Sequence, residues 1–166
     1  MALGCALVLY ASSSNAGVEG LAGKWVDAVV DGYQETLTLY SNGAYKSETA
    51  IVDRKDLRAY LERDCRERVR PKRPKVRCDE QYIDGQMSEL SKLFPQTYIG
   101  TYVTRSGRIE FTHGCSEEIV SCTPGSNTEA GIFFVDGDVL TIKLDGFKYK
   151  GRVLGGKAST YARKAP

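Results

Sequence analysis

The chain of 166 residues contains a single histidine, His113. Any nucleophilic dyad that uses imidazole as its base must use this one. It sits in "RIEFTH", where Ile109, Phe111 and His113 share one side of a period-two alternation. Arg108, Glu110 and Thr112 take the other side. The imidazole therefore belongs to the apolar, inward face of a strand, where a hydrogen-bonded core histidine is its plainer role. No Gly-x-Ser-x-Gly elbow, phosphate-binding glycine loop or metal-binding helix motif accompanies it. The expectation is a protein with no catalytic residues, no metal and no cofactor.

The cysteines carry a different chemistry. Residues 1–16, "MALGCALVLYASSSNA", hold no charge, and the apolar run Ala2 to Tyr10 leads into Ser14-Asn15-Ala16. This resembles the apolar region and small-residue cleavage site of a secretory signal, with the cut before Gly17. The run is about half the length needed to span a bilayer, so no transmembrane segment is expected in the mature form. Removing it removes Cys5 and leaves Cys65, Cys78, Cys115 and Cys122. An even count in a small exported chain suggests two disulfides. Three pairings are open, of which Cys65–Cys78 with Cys115–Cys122 is the simplest. Zinc prefers closer ligand spacing than the twelve and six residues that separate these cysteines. Export to a periplasm or to the extracellular space is the expected location.

The third chemistry is charge. The twelve residues between Cys65 and Cys78 include Arg66, Arg68, Arg70, Lys72, Arg73, Lys75 and Arg77, against one acid, Glu67. The chain's net +2 thus hides a local +6. Such a run suits an anionic partner, whether a lipid headgroup, a polysaccharide or a partner protein. The blander role is a solvated linker. Nucleic acid is not expected, because no aromatic residue interleaves the cations to stack on bases. A cross-link would restrain a segment with little to bury, at about 3 kcal/mol for a loop of about 14 residues.

The elements that position these groups read as mainly β. Asp31-Gly32, Asn42-Gly43, Ser106-Gly107, Asp136-Gly137 and Asp145-Gly146 punctuate alternating segments. Those segments are "KWVDAVV", "YQETLTLY", "AYKSETAIV", "TYIGTYVTR", "RIEFTHG", "GIFFVD", "DVLTIKL" and "FKYKGRVL", with "ASTYARK" as a ninth. An antiparallel meander of eight or nine strands removes its edges by closing into an up-and-down barrel. Residues 17–166 form one domain. Residues 53–95 interrupt it as a two-helix insertion. Its first helix is capped by Asp53, with Leu57, Tyr60, Leu61 and Cys65 on one face. The second carries Met87, Leu90 and Phe94. Pro71 and Pro74 are expected to keep regular helix out of the basic run between them.

The stretch "LAGKWVDAVVDGYQETLTLYSNGAYKS" resembles the lipocalin superfamily, in particular its small bacterial lipocalin-like domains. Gly23-x-Trp25 opens the first strand, a Thr-Leu-Thr-Leu strand and a Ser-Asn-Gly hairpin follow, and "YIGTYVTRSGRIEF" and "VDGDVLTIKL" look like later hairpins. The resemblance implies that Trp25 plugs the closed end of the barrel under a basic residue from a late strand, here Arg163, with Arg152 as the second candidate.

Alternation assigns Leu37, Leu39, Tyr45, Thr49, Tyr102, Ile109, Phe111, His113, Phe134, Leu140, Ile142 and Tyr149 to the interior. An eight-stranded barrel is either filled by such side chains or holds one small ligand. An apolar lining with a few hydroxyls and one imidazole fits a small hydrophobic ligand with a polar end. Tyr45, Tyr102, His113 and Tyr149 would orient it. The expected activity is binding without catalysis, through this lumen or through the basic loop.

Overall fold

The computed structural model describes residues 18–114, 128–145, 147–149, 152–154 and 156–165. The proposed signal segment, Cys115 and Cys122 lie outside the described residues. Eight strands close into an antiparallel barrel: β1 Gly23–Asp27, β2 Tyr33–Leu39, β3 Ala44–Ile51, β4 Gln96–Arg105, β5 Arg108–His113, β6 Thr128–Asp136, β7 Val139–Leu144 and β10 Ala158–Arg163. Around the barrel the order is β1-β10-β7-β6-β5-β4-β3-β2, so every neighbour but β7–β10 and the closing β10–β1 pair is consecutive in sequence.

The segment "FKYKGRVL" is not a barrel strand. It divides into β8 Phe147–Tyr149 and β9 Arg152–Leu154, which pair only with each other, Tyr149 opposite Arg152. Lys150 and Gly151, between them in sequence, lie outside the described residues. The eighth barrel strand is instead "ASTYAR".

The turns select the register. Ser106-Gly107 have φ of 51° and 75°, the positive pair of a type I′ hairpin, with Arg105 opposite Arg108. The β6–β7 turn is displaced by one residue from expectation. Gly137 and Asp138 form it, with Asp136 opposite Val139.

One apolar cluster fills the closed half of the lumen, built on Leu21, Trp25, Leu37, Leu39, Tyr45, Tyr102, Ile109, Phe111, Leu140, Ile142 and Tyr161. Phe134 departs from expectation, being 67% exposed. Four successive apolar residues, Ile132 to Val135, carry no alternation of their own, so pairing decides the phase. Gly131 pairs with the fully buried Ile109. Cross-strand partners share a face, which turns Gly131, Phe133 and Val135 inward and Phe134 outward.

The insertion lies between β3 and β4. Helix α1, Val18–Leu21, precedes the barrel, and the insertion's main helices are α2 Arg54–Asp64 and α4 Glu80–Leu93. Asp53 caps α2 by accepting from the Lys55 and Asp56 amides, and Asp79 caps α4 through the Tyr82 amide. Leu57, Cys65, Ile83 and Met87 form a second small core between the helices, with Tyr33 and Ile51 of the barrel packed against it.

The basic run is more helical than Pro71 suggested. Past Asp64 the chain continues through a π-helical turn, Cys65–Val69, into the short helix α3, Arg70–Lys72. The Arg70 amide donates to the Cys65 carbonyl, five residues back. That wider turn eases the ring of Pro71 past the preceding carbonyls, the clash that breaks an ordinary α-helix. Irregular chain begins only at Arg73.

Candidate functional site

Charged and polar side chains gather in the open half of the barrel and at the tip of the insertion. The closed end defines the first by contrast. There the Trp25 indole is fully buried and donates to the Leu21 carbonyl at 2.8 Å. The Arg163 guanidinium stacks over it at 4.2 Å from the ring centroid. The same guanidinium donates to the Ala22 and Gly20 carbonyls at 3.1 and 3.0 Å. Trp25 and Arg163 face each other in register, so one side chain ties α1 to the last strand.

Towards the open end the inward positions turn polar. On β2 the phase that buries Leu37 and Leu39 continues to Glu35, and on β3 the phase of Tyr45 continues to Ser47. The Ser47 hydroxyl donates to Glu35 at 2.9 Å, and Lys157 donates to the other carboxylate oxygen at 2.8 Å. Tyr161 and Ser159, both buried, lie on β10. Burial, and then the Glu35 carboxylate, hold the Tyr161 hydroxyl well above the usual tyrosine range.

Across the lumen the Tyr45 hydroxyl hydrogen-bonds to His113 Nδ1, and His113 Nε2 lies 3.6 Å from a Glu129 carboxylate oxygen. Gly100 makes this contact possible. It pairs with both Tyr45 and His113, and a Cβ there would come within 2.7 Å of the Tyr45 ring and overlap the Thr112 carbonyl. Burial, and then the Glu129 charge, push the Tyr45 hydroxyl up to about 12. Tyr45 therefore stays a phenol hydrogen-bonded to Nδ1, and the other ring nitrogen, Nε2, faces Glu129.

Of the four proposed ligand-orienting residues, the structure brings three together. Phe111 packs between the Tyr45 and Tyr102 rings, at 5.1 and 6.3 Å. The Tyr102 hydroxyl donates to the Tyr40 carbonyl at 2.9 Å. Tyr149 is on β8, which is not part of the barrel, and its side chain lies outside the described residues. Sequence reasoning missed Glu35, Ser47, Ser159 and Tyr161. Carrying the alternation one step past the apolar residues on β2 and β3 would have found the first two.

The tip is built differently. Cys65 and Cys78 are joined by a disulfide, their Cα atoms 5.8 Å apart. Cys65 is buried, and Val69 and Val76 turn back against the insertion core. All seven cations of the run are exposed. Arg66 and Arg68 are tied to Glu62 and Asp64 at 3.2 and 3.4 Å. Among the described residues, no carboxylate pairs with Arg70, Lys72, Arg73, Lys75 or Arg77. Further back, Arg63 reaches Asp31 of the barrel at 2.8 Å, and Gly32 accepts from the Val52 and Asp53 amides at 3.0 and 3.1 Å. The cations thus stand on a base fixed to the barrel.

Among the described residues, no helix is long and apolar enough to cross a membrane, and no group of three or more His, Cys, Asp or Glu could hold a metal ion. Comparison of the chain with protein-family models, with curated proteins and with solved structures finds no match.

Proposed function

We propose that this is an exported binding protein of the lipocalin-like kind, which docks on an anionic lipid surface through its insertion and does no chemistry there. The carrying observation is five exposed cations, paired with no carboxylate among the described residues, on a short, cross-linked scaffold. A polybasic segment gains about 1 kcal/mol per Lys or Arg near an anionic membrane. Five give about 5 kcal/mol, enough for reversible, salt-sensitive attachment. The disulfide supports the exported location, and Trp25 under Arg163 at the closed end supports the lipocalin kinship. Val69 and Val76 point into the insertion core, so attachment rests on charge without apolar insertion.

Flotation of the full chain with anionic and with neutral phospholipid vesicles tests this. Binding to the anionic vesicles alone, weakening steeply with salt, is expected. Equal binding to both kinds, or to neither, would contradict it.

A small ligand in the lumen has less support. The hydroxyls of Tyr45 and Tyr102 and the imidazole of His113 already satisfy one another or the backbone. The apolar residues that would hold a hydrophobic ligand are packed together in the closed half. Native mass spectrometry of the purified chain would revive this reading by revealing a co-purified small molecule.

A further inference from the structure

A hollow of about 640 Å3, open to solvent, lies between α2 and α4. Arg54, Lys55 and Arg58 of α2 line one wall. Ser88 and Ser91 of α4 line the other, and Met87, only 7% exposed, contributes apolar floor. One carboxylate, Asp84, is also in the lining. It is engaged, accepting from Arg58 at 2.6 Å. The lining therefore carries a net charge of +2. Among the described residues, neither Arg54 nor Lys55 is in an ion pair. Ser91 donates to the Met87 carbonyl at 2.8 Å, which leaves Ser88 as the hydroxyl of that wall with no hydrogen-bond partner among the described residues.

Net charge, donors and floor agree on one chemical class. Arg54 and Lys55, a guanidinium held by Asp84 and, at 3.7 Å, by Glu62, and a hydroxyl that can donate offer an occupant mainly donors. A guanidinium presents a fork of N–H groups that matches phosphate oxygens, and an ammonium adds a point charge. A dianionic phosphate neutralises a +2 lining. The methionine floor favours a phosphate that carries an organic group over the bare ion.

We infer that the α2–α4 groove is a binding site for an organic phosphomonoester. It is separate from the disulfide-closed tip, and the inference does not require the tip to bind a membrane. A soluble phosphate ester and the headgroup of a phosphatidic-acid-type lipid offer the same chemistry.

The test uses the full, oxidised chain and follows backbone amide chemical shifts at constant ionic strength. The probes are glycerol 3-phosphate, inorganic phosphate and vesicles containing phosphatidic acid. Saturable shifts at Arg54, Lys55, Ser88 and Ser91 are expected with glycerol 3-phosphate, at a lower Kd than with inorganic phosphate. Arg54→Gln/Lys55→Gln should weaken binding at least tenfold, and Ser88→Ala severalfold. Arg70→Gln/Lys72→Gln/Arg73→Gln at the tip should leave the Kd within twofold. Groove shifts with both the soluble ester and the vesicles assign the shared headgroup chemistry. Shifts with the soluble ester alone assign a free metabolite. Either supports the site. The inference is overturned if no probe gives saturable groove shifts, or if the shifts spread equally over groove and tip and survive Arg54→Gln/Lys55→Gln. Loss of vesicle binding in the tip variant, with groove binding intact, would separate this site from the docking function.

Discussion

Removing the disulfide with Cys65→Ala/Cys78→Ala should loosen the insertion and spare the barrel. The bridge closes a loop of about 14 residues, and the chain-entropy model gives about 3 kcal/mol for such a loop. That free energy is felt first where opening is local. The helices are held by a small core, Leu57, Cys65, Ile83 and Met87, whereas the lumen cluster contains Trp25 and ten further buried residues. A change of about 3 kcal/mol multiplies the opening constant of the insertion by roughly 150. Amide exchange at Leu57 and Ile83 under native conditions should accelerate by about that factor. Emission from Trp25, the only tryptophan, should keep its buried character because it sits at the far, closed end. Exchange in the insertion that changes less than fivefold would show that the bridge does not restrain it. A Trp25 spectrum like that of the unfolded chain would show that the insertion and barrel are one cooperative unit.

Other perturbations follow from the same contacts. Gly32→Ala places a Cβ within 2.6 Å of Leu57 at a residue with φ of 84°, and should cost at least about 2 kcal/mol by lifting α2 from the barrel; an unchanged melting temperature would contradict this. Arg163→Ala removes the cation over Trp25 and two carbonyl contacts, so a loss of about 2–3 kcal/mol and altered Trp25 emission are expected in urea titrations. The Tyr45 hydroxyl ionises near 10 in the unfolded chain and at about 12 when folded, so its contribution is complete below pH 10 and lost as pH rises through 12. Stability should fall by on the order of 2–3 kcal/mol from this group across that range, and Tyr45→Phe should flatten the alkaline limb accordingly; an unaltered limb would count against the buried phenol.

How far the sequence was legible depended on whether one element could be read without its neighbours. Strands β2, β5 and β7 alternate strictly, and their inward residues Leu37, Ile109, Phe111, Leu140 and Ile142 are buried as expected. β6 has four apolar residues in a row, so its phase came from pairing with β5. Asp53 marked the start of α2 because a carboxylate cap acts locally. The helical path through Pro71 was hidden, since it depends on a widened turn that no single residue announces. The polar half of the lumen was overlooked for a related reason. Alternation puts Glu35 and Ser47 on the inward faces of β2 and β3, but nothing local marks them as a polar site until Lys157, remote in sequence, is brought against the carboxylate. Which tip cations lack a carboxylate among the described residues likewise required knowing where Glu62 and Asp64 point.

The most direct measurement of the docking claim is the partition coefficient of the full chain onto anionic vesicles, compared with that of Arg70→Gln/Lys72→Gln/Arg73→Gln. At about 1 kcal/mol per cation, the account predicts a loss of roughly 100-fold or more at low salt, with the difference shrinking as ionic strength rises. A partition coefficient that the three substitutions leave unchanged would contradict it.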